Sequence, residues 1–80
     1  MDQDVIAEVR KILATALKLN DKELGTQPAI YKTAGWDSLA TIEIVENIES
    51  TFSIEIPDSK IEQCTNITNI VEMLLDSSHQ

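Results

Sequence analysis

Three stretches of this chain repeat their apolar residues every third or fourth position, and no set of alternating segments marks out a sheet. That period belongs to amphipathic helices, not strands, and it predicts an all-α bundle. From Asp4 to Lys18 the stripe is Val5, Val9, Ile12, Leu13, Ala16 and Leu17. From Ser38 to Ser50, with Asp37 as the cap, it is Thr41, Ile44, Val45 and Ile48, continued by Phe52. After Thr65 or Asn66, either of which can cap, it is Ile67, Ile70, Val71, Leu74 and Leu75. Leu19 to Trp36 reads as a long connection through Gly25, Pro28 and Gly35, with Leu24, Ile30 and Tyr31 as apolar pegs onto the core. Ile54 to Asp58 is extended before Pro57, and Ser59 to Gln63 has room only for a short helical turn. Asp76 to Gln80, which includes His79, reads as a frayed, solvated tail. The expected architecture is one domain over residues 1–80, with three main helices, one short helix and a long loop between helices one and two.

Charge narrows the partners. Asp and Glu outnumber Lys and Arg by 14 to 6, and a net charge of −8 repels a polyanion, so nucleic acid is excluded and partners are expected to present basic surfaces. The three aromatics, Tyr31, Trp36 and Phe52, are too few for a base-stacking platform. Cys64 is the single cysteine, which excludes a disulfide framework and reads as a buried thiol in a reducing compartment. The chain opens with Asp2 and Asp4 and has no long apolar run, so the expectation is a monomeric cytoplasmic protein with no membrane span. Asn66-Ile67-Thr68 fits a glycosylation sequon, but Asn66 serves better as a helix cap. No D-x-[DN]-x-[DN]-G loop is present, and a calcium sensor is set aside.

The second helix holds two residues that its buried face does not need. At about 100° per residue, Thr41, Ile44, Val45, Ile48 and Phe52 fall in one arc. Leu39 and Ile42 fall on the far side with Glu43, Glu46 and Glu49, as a mixed apolar and acidic strip. Ser38 heads that strip at a helix start, where first-turn amides and the positive dipole end favour a phosphate. Serine behind a capping aspartate is common for capping alone; a serine that also heads such a strip suggests a docking surface around an exposed hydroxyl.

Asp37-Ser38-Leu39, then Thr41-Ile42-Glu43-Ile44-Val45, Ile48-Glu49, Phe52 and Ile54-Glu55-Ile56-Pro57-Asp58, resembles the acyl carrier proteins across most of the chain. The resemblance implies that Ser38 carries 4′-phosphopantetheine, transferred from coenzyme A by a phosphopantetheinyl transferase, flanked by Asp37 and Leu39. It implies a recognition helix presenting Leu39, Ile42, Glu43, Glu46 and Glu49; Trp36, beside the arm, joins them as a partner contact, with packing of the loop as its alternative role. It also implies a carrier, not an enzyme, served by a loading ligase and by condensing or acyltransferase enzymes with basic docking surfaces. Ala40 and the Lys32-Thr33-Ala34 approach stand where the best-known fatty-acid carriers have acidic residues. Together with the W-D-S-L form, they point to a free-standing carrier of a specialised polyketide, lipid or related pathway. A peptidyl or D-alanyl carrier, loaded by an adenylating ligase, and an unmodified carrier-like interaction module stay open.

Overall fold

The computed structural model describes residues 3–77, and its helices are α1 (Gln3–Leu17), α2 (Asp21–Leu24), α3 (Ser38–Phe52), α4 (Asp58–Ile61) and α5 (Ile67–Ser77). Helix α1 is the hub: α2, α3 and α5 all pack on it, while α3 also meets α4. Its two sealed residues, Val9 and Leu13, join Ile44 and Ile48 of α3 and Ile70 and Val71 of α5 in one apolar core. A single shared core is what so short a chain can bury.

The three long helices lie where the apolar periodicity puts them, and the short helical turn expected over Ser59 to Gln63 is α4, Asp58–Ile61, after the extended run to Pro57. The connection after α1 is more ordered than a loop, because it contains α2. Asn20 accepts the Glu23 amide at 2.8 Å, and the Glu23 carboxylate accepts the Asn20 amide at 3.0 Å, a reciprocal capping box. Arg10 Nε donates to Asp21 Oδ1 at 2.7 Å and its Nη2 to the Asp21 carbonyl at 3.0 Å, which ties α2 to α1. Asp76 and Ser77 continue α5 where a frayed tail was expected. His79 lies outside the described residues, as does Asp2.

Both long helices α1 and α3 stop without glycine. Lys18 and Ser53 take left-handed conformations, φ 59° and 54°. The next amides, of Leu19 and Ile54, donate back to the carbonyls of Ala14 and Glu49. These bonds satisfy last-turn carbonyls that would otherwise lack partners. Asn66 is the cap of α5, its side chain accepting the Asn69 amide at 2.8 Å.

The segment ahead of α3 is sewn to the far side of the domain by backbone. Ile30 donates to the Thr65 carbonyl at 2.8 Å and Ile67 donates to the Pro28 carbonyl at 3.1 Å, an isolated antiparallel bridge between Ala29 and Asn66. Leu24 and Pro28 are buried and Ile30 half-buried, so these pegs hold the segment down. Cys64 is buried as well, which pushes its thiol up from the ordinary value of 9.0 and keeps it protonated at neutral pH. Among the described residues, no helix is long and apolar enough to cross a membrane.

Candidate functional site

The site is built around the start of α3, and its anchor is Trp36. The indole is 2% exposed, and its Nε1 donates to Thr41 Oγ1 at 2.8 Å. Thr41 Oγ1 in turn donates to the Asp37 carbonyl at 3.0 Å, and the Thr41 amide donates to the same carbonyl. The Asp37 carboxylate accepts the Ala40 amide at 2.9 Å, as an N-cap does. Residues 36, 37, 40 and 41 are thus locked to one another around Ser38.

This corrects one expectation. Trp36 presents no surface to a partner: a large apolar ring with one polar handle is best buried where that handle finds an acceptor, and Thr41 supplies it.

Ser38 is exposed, with its hydroxyl at the N-terminus of a fifteen-residue helix that has no acidic residue in its first turn. The positive end of the helix dipole there is offset only by the cap, Asp37. The Ser38 Oγ lies 2.8 Å from the Tyr31 hydroxyl, either group being able to donate. Tyr31 is another correction, since the expected peg is 73% exposed and reaches the site with its hydroxyl instead of the core with its ring. Its backbone takes φ 65°. A non-glycine residue in that region carries about 1–2 kcal/mol of strain. Its amide donates to the Trp36 carbonyl at 2.8 Å, Lys32 and Thr33 donate to the Ala29 carbonyl, and Trp36 donates to the Thr33 carbonyl. Gly35, at φ 79°, supplies the reversal that lets this turn close. A hydrophobicity pattern has no signal for the Tyr31–Ser38 pair, because the two meet through this turn and not through periodicity.

Beyond Ser38 the strip is present. Leu39 is 76% and Ile42 50% exposed, and Glu43 and Glu46 are exposed beside them. Glu49 leaves it. Half-buried at the edge of the apolar arc, its Oε2 accepts the Ile56 amide at 2.8 Å, so the carboxylate ties down the α3–α4 connection and is not displayed to a partner.

A phosphodiester fits this donor set: an exposed hydroxyl to esterify, a phenol beside it able to donate to an anion, and a helix N-terminus whose one nearby acid, Asp37, is engaged in capping the Ala40 amide. The family described as "Phosphopantetheine attachment site" matches residues 7–74, which include the whole of α3 and the turn before it.

Two stability measurements check the geometry. Thr41→Val keeps the shape but strands the buried indole N–H, and urea denaturation is expected to show a loss of about 1–3 kcal/mol, while Thr41→Ser retains most of the stability. Glu49→Ala removes the acceptor of the Ile56 amide and is expected to lose about 1 kcal/mol, with Glu49→Gln, which keeps an acceptor oxygen, close to the parent protein.

Proposed function

The chain belongs to the phosphopantetheine-attachment family, and on that premise we propose that Ser38 takes the arm and that the domain carries acyl groups for a specialised polyketide, lipid or related biosynthetic pathway. Domains of this family are the site of covalent 4′-phosphopantetheine attachment and interact with transferases and biosynthetic enzymes. When attached, the arm supplies a thiol that holds cargo as a thioester. The observation that carries the assignment to Ser38 is an exposed hydroxyl directly after the capping Asp37, at the head of the exposed strip.

The chain itself has little chemistry to perform. Ser38 offers its oxygen; the base that takes its proton, and any metal, belong to the transferring enzyme. Leu39 and Ile42 offer apolar contact, and Glu43 and Glu46 steer basic surfaces toward it. Cys64 is 1% exposed, so it does not compete with the arm as a site for the cargo. Ala40 and Lys32, in place of acidic residues, favour a dedicated pathway over general fatty-acid synthesis.

Incubation with a phosphopantetheinyl transferase, coenzyme A and magnesium is expected to add one arm to the parent chain and none to Ser38→Ala, read by intact mass. A thiol titration under native conditions is expected to gain one fast-reacting group on modification, with Cys64 slow throughout. Labelling of Ser38→Ala removes the assignment, and a parent chain that gains no mass points to an unmodified interaction module.

The strip has its own test. Glu46→Lys is expected to slow modification through the association rate, with a defect that shrinks at high salt. Ile42→Ala is expected to weaken docking by about 1 kcal/mol with little salt dependence. Glu72→Lys, the same charge change on an exposed position of α5, is the control. An equal defect in that control assigns the effect to net charge and not to the strip.

A further inference from the structure

Tyr31 stands seven positions before Ser38, yet their side-chain oxygens are 2.8 Å apart. Packing does not explain where the ring sits, because the residue is 73% exposed. Helix termination does not explain its backbone either: Lys18 and Ser53 reach positive φ at helix ends, whereas Tyr31, at φ 65°, lies inside the turn that precedes α3. That turn is closed by its amide on the Trp36 carbonyl, and Trp36 is sealed in the core. An exposed ring on a strained backbone, tied to a rigid anchor, is held in place for what its hydroxyl touches.

We propose that Tyr31 is the positioning residue of the Ser38 hydroxyl, orienting it as the acceptor in arm transfer and donating a hydrogen bond to the ester oxygens once transfer is complete. This rests on Ser38 being the attachment residue. In the transfer, the Ser38 hydroxyl proton passes to a base on the transferring enzyme and an Oγ lone pair forms the bond to phosphorus in the pyrophosphate of coenzyme A. The bond from that phosphorus to the bridging oxygen breaks, and the 3′,5′-adenosine diphosphate half leaves with the electron pair.

Before the step either hydroxyl of the pair can donate. Afterwards Oγ has no hydrogen, so Tyr31 alone can donate, and its acceptors belong to an anionic diester. A hydrogen bond to an ionised acceptor is stronger than one between neutral hydroxyls, so the contact gains strength along the reaction. An interaction that strengthens toward the transition state raises kcat, whereas one equal in both states changes KM alone.

Tyr31→Phe deletes the hydroxyl and keeps the ring. The melting temperature is expected to stay at the parent value, since the lost group is exposed. The kcat for arm transfer is expected to fall about three- to tenfold with KM for the carrier unchanged. The 31P resonance of the modified protein is expected to shift relative to the parent, a readout of the ester's hydrogen bonding that needs no enzyme activity. An unchanged resonance, or a kinetic effect that is absent or confined to KM, overturns the proposal. An effect seen in Tyr31→Ala but not in Tyr31→Phe assigns the ring to docking and overturns it likewise. Peptide mapping of the modified parent keeps the two readings apart: an arm found on another residue defeats the Ser38 assignment and this proposal with it, whereas an arm on Ser38 with an indifferent Tyr31→Phe defeats this proposal alone.

Discussion

The hydrogen bond from the buried Trp36 indole to Thr41 fixes the rest of the site. An indole sealed in the core needs an acceptor, and the acceptor chosen here belongs to the first full turn of α3. Thr41 passes the constraint to the Asp37 carbonyl, and Asp37 passes it through its carboxylate to Ala40. One buried ring therefore sets where α3 starts, how it is capped and which way Ser38 faces. The same ring holds the carbonyl that the Tyr31 amide reaches, so the turn before the helix hangs from the same anchor.

With α1 as the hub, α3 needs only one face for folding. Val45 and Ile48 complete that face, and the opposite side carries Leu39, Ile42, Glu43 and Glu46 in the open. The Arg10–Asp21 and Lys11–Glu8 ion pairs join residues of α1 and α2 and take up no carboxylate of that side. A helix face that is exposed, acidic and interrupted by large apolar residues is poorly suited to water alone and well suited to a basic partner with a shallow apolar patch. Glu49 marks where the face ends, since one turn further along a carboxylate is turned inward to serve the backbone.

The long helices, the cap at Asp37 and the exposed strip were legible because each is a short-range pattern: apolar spacing, a capping side chain, and residues that do not fit a buried arc. Helix α2 was legible too, in Asn20-x-x-Glu23, but the apolar pattern has no stripe to draw attention to four residues. The end of α1 was legible within one residue of Lys18, whereas α3 runs past the expected Ser50 to Phe52, where Ser53 and not glycine takes the left-handed position. The role of Tyr31 and the inward turn of Glu49 were out of reach for another reason. Each depends on where a side chain tip meets a distant backbone or hydroxyl, and composition ranks tyrosine as an apolar body before it ranks it as a donor. For Trp36 the sequence left a partner contact and a packing role open, since nearness to Ser38 suits either; burial and its N–H partner put it in the core.

An anionic arm at Ser38 would add charge to a chain that already carries −8, and the two scales of electrostatics pull in opposite directions. The existing charges are spread over a body 33 × 25 × 18 Å, and at physiological salt a Debye length of about 8 Å screens much of their effect on any one point. The helix terminus acts within a single turn, where an anion is worth about 0.3–1 kcal/mol, and α3 has no acid in its first turn to compete. The local dipole term, reduced by the Asp37 carboxylate that already caps the same terminus, therefore favours a phosphodiester at this position. The hydroxyl it replaces belongs to an exposed residue and supports no part of the core, so attachment at Ser38 is separable from folding, as a carrier that is modified after it folds requires.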